Sequence, residues 1–186
     1  MKKILVLGLV ASLTGCMSIE GMNADLAKID QVWGGENKLV SAQRVRTVDT
    51  DYNTAFKAVE KTLIDLQMPI VKSAPDKGFI TAKNEAPKPL TKEQWKQVVD
   101  AENPRMHDVA GWMYSLADDP KGQFVNTKVA IESTGNQTKV SLDYFINVPE
   151  YDDLGLITPK NVAPLAEKLA CEAFWLQLNK NLSSAQ

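Results

Sequence analysis

A stretch of 24 residues, Val125–Val148, leaves this chain little choice of fold. Val125, Thr127, Val129 and Ile131 alternate with Asn126, Lys128, Ala130 and Glu132. Thr134-Gly135-Asn136-Gln137 then turns the chain. Val140, Leu142, Tyr144, Ile146 and Val148 alternate with Lys139, Ser141, Asp143, Phe145 and Asn147. Side chains of a strand point to opposite faces in turn, so this is a long antiparallel hairpin with one buried face. That face needs a covering layer, and the flanking sequence must supply it.

The cover is helical. Thr50 or Asp51 is placed to cap a helix reaching about Gln67, with Tyr52, Phe56, Val59, Leu63 and Leu66 on one stripe and Pro69 as the stop. A first strand is expected over Arg44–Asp49, a second over Ile70–Ser73, and a third over Phe79–Lys83, the last two joined by Ala74-Pro75-Asp76-Lys77-Gly78. Residues 90–119 read as a helical insertion rich in aromatics (Trp95, Trp112, Tyr114). Thr91 with Gln94 forms a capping box; Asn103-Pro104 should split the insertion into two helices, to about Glu102 and from Met106 to Ala117. A final helix is expected from about Pro159 to Leu182, apolar around most of its circumference. One stripe holds Val162, Leu165, Leu169, Ala173 and Leu176, the other Cys171, Phe174, Trp175, Leu178 and Leu182. One stripe should cover the sheet; the other must meet the insertion, the N-terminal segment or another protein. The expected fold is α+β: an antiparallel sheet of about five strands with helices on one face, in the order β-α-β-β-(αα)-β-β-α, over residues 44–186.

The N-terminus concerns delivery. Lys2 and Lys3 precede a ten-residue apolar run, Ile4–Leu13, followed by Thr14-Gly15-Cys16. The run is far short of the roughly 20 residues of a transmembrane helix and matches a secretory signal. Leu13-Thr14-Gly15-Cys16 resembles the lipobox of bacterial lipoproteins at every position. The resemblance implies removal of residues 1–15, a diacylglycerol thioether on Cys16 and acylation of the new amino group. With Met17 rather than Asp next, it implies an outer-membrane anchor with the domain on the periplasmic face. Several acyl chains hold a protein to a bilayer far more firmly than one.

Residues 16–43 then form a lipidated tether with a short helix, capped at Asn23 and ended by Gly34-Gly35. Met22, Leu26, Ile29, Val32 and Trp33 fall on one side of that helix. An apolar stripe on a short helix must be covered. Its own domain and a partner protein are the two candidates, with Leu26, Ile29 and Trp33 as contact residues. The nearby acids Glu20, Asp25 and Asp30 disfavour an anionic lipid surface.

The segment AFKAVEKTLIDLQMPIVKSAPDKGFITAK, Ala55–Lys83, resembles the helix-grip repeats of the BamC-like lipoproteins of outer-membrane β-barrel assembly. The resemblance covers about 30 residues and implies the fold rather than membership of that machinery. This chain departs from the pattern by having one such domain and an insertion between its hairpins.

Catalytic patterns are not found. The chain has one His, His107, with no nucleophile near it in sequence, and a second Cys, Cys171, set among Phe174 and Trp175 as an inert buried thiol would be. Asp118-Asp119 and Glu150–Asp153 lack the spacing of a calcium loop, and no P-loop, dinucleotide fingerprint, HExxH or GxSxG occurs. Lys+Arg 21 against Asp+Glu 23 gives a net charge of −2 without a basic block, so nucleic acid is not an expected partner. No cofactor, metal or enzymatic activity is expected. Two functions remain. One is a non-enzymatic accessory or scaffold that binds another envelope protein. The other is a carrier of a small apolar ligand or lipid, which requires a cavity of several hundred Å³ between the last helix and the sheet.

Overall fold

The alternating segment forms two eleven-residue strands, β4 (Phe124–Thr134) and β5 (Gln137–Asn147), paired in register from Phe124 opposite Asn147 to Thr134 opposite Gln137. Gly135, with φ of 74°, occupies the first position of the two-residue turn, where a side chain would be strained. The computed structural model describes residues 18–39, 41–157 and 159–184. Around this hairpin stand β1 (Val45–Val48), β2 (Ile70–Ala74) and β3 (Phe79–Glu85). They complete a five-stranded antiparallel sheet in the order β1-β5-β4-β3-β2. The turn into β3 needs glycine: a Cβ on Gly78 would lie 2.4 Å from the Ile131 carbonyl oxygen.

Val129, Ile131, Val140, Leu142 and Tyr144 are buried on one face, while Lys128, Glu132, Asp143 and Phe145 on the other are exposed. Two helices cover the buried face. In α2 (Tyr52–Asp65) the Asp51 carboxylate accepts the Asn53 and Thr54 backbone N–H groups, and Ala55, Phe56, Val59 and Leu63 turn inward. In α5 (Pro164–Ser183) Cys171, Phe174, Trp175 and Leu178 are buried. The Trp175 indole N–H donates to the Gln43 carbonyl at 2.6 Å, and Arg46 of β1 stacks on its ring at 5.0 Å. The α+β class, the five strands and the placement of the helices are as the sequence implies.

The other helical segments depart from expectation. The insertion is one helix, α3 (Lys92–Ala110), opened by the Thr91–Gln94 capping box and running through Pro104. Pro104 and Asp100, whose carbonyl loses its helical partner there, are both exposed, so the break in the hydrogen-bond ladder falls on the solvent side of the helix. Trp95, Val98, Val99, Glu102 and Met106 keep one buried face across the proline. Of the second expected helix, Met106–Ala110 is the end of α3 and residues 111–117 are irregular chain; the Asn103 side chain holds that chain by accepting the Leu116 N–H at 2.6 Å and donating to its carbonyl at 3.2 Å. A short α4 (Pro149–Leu154) follows β5, between the hairpin and the last helix. The last helix starts at Pro164 rather than Pro159, because Asn161 and Val162 are hydrogen-bonded to the N-terminal helix instead.

That helix, α1 (Ile19–Leu39), has 21 residues and runs through Gly34-Gly35. Asn23 does not cap it; Ser18 Oγ accepts the Gly21 N–H at 3.1 Å at its start. Gly34 is a point of close approach rather than a stop, since a Cβ there would meet Asn161 Nδ2 at 2.8 Å.

Candidate functional site

Leu26, Ile29 and Trp33 are at most 4% exposed. Leu26 and Ile29 pack with Met106, Leu116, Val148 and Tyr151, and Trp33 closes the same pocket. Of the two covers open to the stripe, its own domain supplies one. As partner-contact residues these three side chains are inaccessible unless α1 detaches. Within the expected tether, residues 16–43 with a short helix, Ile19–Leu39 is one long helix packed on the domain. Cys16 and the lipobox lie outside the described residues.

Two glutamates invisible to pattern reading pin α1 and α5. Glu102 is buried, and its carboxylate accepts the Trp33 indole N–H at 3.2 Å, the Leu165 backbone N–H at 3.3 Å and Arg105 Nη1 at 3.1 Å. Burial pushes its pKa above the ordinary carboxylate value, against the opposing pull of Arg105. Arg105 also pairs with Glu36 of α1. Glu167 is buried as well and receives both arms of Arg44, Nε to Oε1 and Nη2 to Oε2 at 2.7 Å. Arg44 reaches Asp143 of β5 at 3.5 Å, and the Glu167 hydrogen bonds hold its guanidinium pKa above the ordinary value. Each buried charge is therefore paired, as buried charges must be. Glu167 borders the small cavity between α5 and the sheet, whose lining holds no Ser, Thr, Cys or His.

The remaining chemical candidates are scattered. Cys171 is a free, buried thiol whose pKa burial raises to about 12, so it is neither a thiolate nor accessible. His107 is exposed, with Nε2 2.8 Å from Ser115 Oγ. Asp119 pairs with Lys121 at 2.9 Å. Among the described residues no three His, Cys, Asp or Glu side chains are grouped to hold a metal ion.

Between α5 and the sheet lies a cavity of only about 40 Å³, lined by Ala163, Ala166 and Ala170 of α5, Tyr144 and Ile146 of β5, and the Pro87–Pro89 loop. At the other end of α1 an open bay of about 600 Å³ carries Asp30, Lys38, Arg44 and Asn161. Arg44 is engaged by Glu167, and Asp30 accepts the Asn161 N–H at 2.8 Å. On the outer face of α5, Leu176 is 76% exposed and Leu165, Leu169 and Ala173 are half-buried. No protein-family model matches the chain, and no curated protein matches it. Among the described residues no helix is long and apolar enough to cross a membrane.

Proposed function

We propose that this chain is a lipid-anchored envelope lipoprotein, held through Cys16 on the periplasmic face of the outer membrane. It serves as a non-enzymatic accessory or scaffold that binds another envelope protein. The lipobox supports the anchor. The observation that carries the scaffold reading is the filled space between α5 and the sheet: about 40 Å³ is room for a few waters. A ligand or acyl-chain carrier needs several hundred Å³. The surface best suited to a partner is the outer stripe of α5 around Leu176, rather than the buried Leu26, Ile29 and Trp33.

Two measurements test this. Metabolic labelling with a fatty acid should mark the wild type and not Cys16→Ala; label on the variant ends the anchor reading. A photo-crosslinking residue at Leu176 should give a discrete protein adduct in intact cells, and one at Lys139 should not. Saturable binding of a fluorescent fatty acid by the purified protein, without any adduct at Leu176, would favour the carrier instead.

A further inference from the structure

The described residues expose ten large apolar side chains, and four gather at one end of the molecule. Ile19 is 55% exposed, Trp112 72%, Leu154 52% and Ile157 40%. Their neighbourhood follows from the contacts of α1. Asn23, one turn into that helix, donates to the Gly155 carbonyl at 3.1 Å and accepts the Ile157 N–H at 2.8 Å. This fixes the end of α4, and with it Leu154, beside the start of α1. α3 packs along α1 in antiparallel order: Glu102 accepts the Trp33 indole N–H, Met106 borders a small pocket with Leu26, Ile29 and Trp33, and Val109 borders another with Ile29, Val32 and Trp33. The turn after α3 therefore arrives at the first turns of α1, and Tyr114 lies close enough to Asp25 to feel its charge. Trp112 stands in that turn.

Only two residues, Met17 and Ser18, separate Cys16 from Ile19, which is three residue steps along the chain. Whatever their conformation, they span at most about 10 Å. If Cys16 carries lipid, this end of the domain cannot leave the bilayer surface. A flexible coil over the whole of residues 16–43 would have let it do so.

We propose that Ile19, Trp112, Leu154 and Ile157 form a membrane-facing surface that seats in the phospholipid interface around the anchor. The proposal rests on the lipoprotein reading. Tryptophan and branched aliphatics are the side chains that partition into that layer, and an exposed apolar group with no protein cover calls for one. The charges on the same turns are mostly acidic: Glu20, Asp108 and Asp153, with Asp25 paired to Lys28 at 2.8 Å. Attraction to anionic lipid is therefore not the driving term, and the surface suits a zwitterionic interface entered by apolar contact. The consequence is orientation: α1 rises from the membrane, and the outer stripe of α5 is carried at a fixed height for a partner.

The test uses the full-length lipidated protein in phosphatidylethanolamine–phosphatidylcholine vesicles, with or without bromine on the acyl chains. Mass spectrometry first establishes acylation at Cys16; its absence removes the anchor and this proposal together. With acylation present, bromolipid should quench a component of the tryptophan emission that is missing in Trp112→Phe. Trp33 lies about 21 Å further along α1 and contributes a constant background. Emission from Trp112 that bromolipid leaves unchanged, and that acrylamide quenches freely, overturns the surface while leaving the anchor standing. Trp112 shielded from acrylamide only at high protein density, without bromolipid quenching, also overturns it and assigns the patch to a second copy of the chain.

Discussion

The sheet with its two covering helices and the α1–α3 layer at its end are both well packed, but they are specified differently. In the first, periodic apolar residues do most of the work: Val129, Ile131, Val140 and Leu142 share one core with Phe56, Val59, Phe174 and Leu178, and only Thr127 and Thr138 interrupt the apolar face of the long hairpin. In the second, apolar contacts are fewer and single polar side chains set the register. Glu102 holds Trp33 and Leu165, Asn37 donates to the Val162 carbonyl at 2.9 Å, Asn161 is tied to Asp30, and Asn23 to the 155–157 segment. Apolar periodicity tolerates a lost contact by relaxation. A polar pin does not, because its partners stay buried without hydrogen bonds.

The largest expected effect is at Glu102. Replacing it with Ala leaves the Trp33 indole N–H and the Leu165 N–H without their acceptor, and should cost about 3–5 kcal/mol. α1 should loosen first, seen as deuterium uptake in residues 19–39 ahead of the sheet. Uniform uptake across both regions would mean that the two are not separable. The Gln variant sharpens the point through pH. Burial raises the Glu102 pKa, so the native state holds this proton more tightly than the unfolded chain does. Its contribution to stability is therefore greatest at low pH and is lost as pH rises from the unfolded value of about 4.3 through the folded value. Wild-type stability minus that of Glu102→Gln should fall across that window and be flat below it, in paired melts from pH 3 to 8. A rising difference would mean that Arg105 outweighs burial.

On the sheet, Leu142→Ala should cost about 2–5 kcal/mol, and Lys139→Ala, on the open face, no more than about 0.5 kcal/mol. Denaturant melts of the chain from Ser18 onward decide this, since α1 belongs to the domain. Equal effects would remove the assignment of faces.

These contrasts explain what could be read from the sequence. The hairpin, α2 with its Asp51 cap, the capping box at Thr91 and the buried face of α5 were legible because each repeats at a fixed period or follows a local rule. Helix boundaries in the second region were not. Gly34-Gly35 has the composition of a stop and Pro104 that of a break, and both are overridden by distant residues: Asn161 packed on Gly34, and the continuous face from Trp95 to Met106. The partners of Glu102 and Glu167 are 69 and 123 residues away in sequence, at Trp33 and Arg44, and a lone glutamate gives no hint of them. The Leu26–Ile29–Trp33 stripe was visible as apolar, but what covers it is a tertiary fact.

The two glycines of α1 give the finest test of this distinction. They are adjacent and helical, and helix propensity treats them alike: Ala for Gly should gain about 0.5–1 kcal/mol at either position. Their surroundings differ. A Cβ on Gly35 meets nothing within 4 Å, so Gly35→Ala should show the whole gain. A Cβ on Gly34 would meet Asn161 Nδ2 at 2.8 Å and Cγ at 3.2 Å. That amide is the end of a side chain, but it is held by the Asp30 carbonyl at 3.2 Å and carboxylate at 3.1 Å, so moving it loosens the pin between α1 and the segment leading into α5. Gly34→Ala should therefore show no gain or a net loss, and Gly34→Ala with Asn161→Ala should bring it back toward the Gly35→Ala value. Identical melting shifts for the two single variants would show that the Asn161 contact places no constraint on α1. Helix propensity alone would then set the stability of this segment, as it would for an unattached helix.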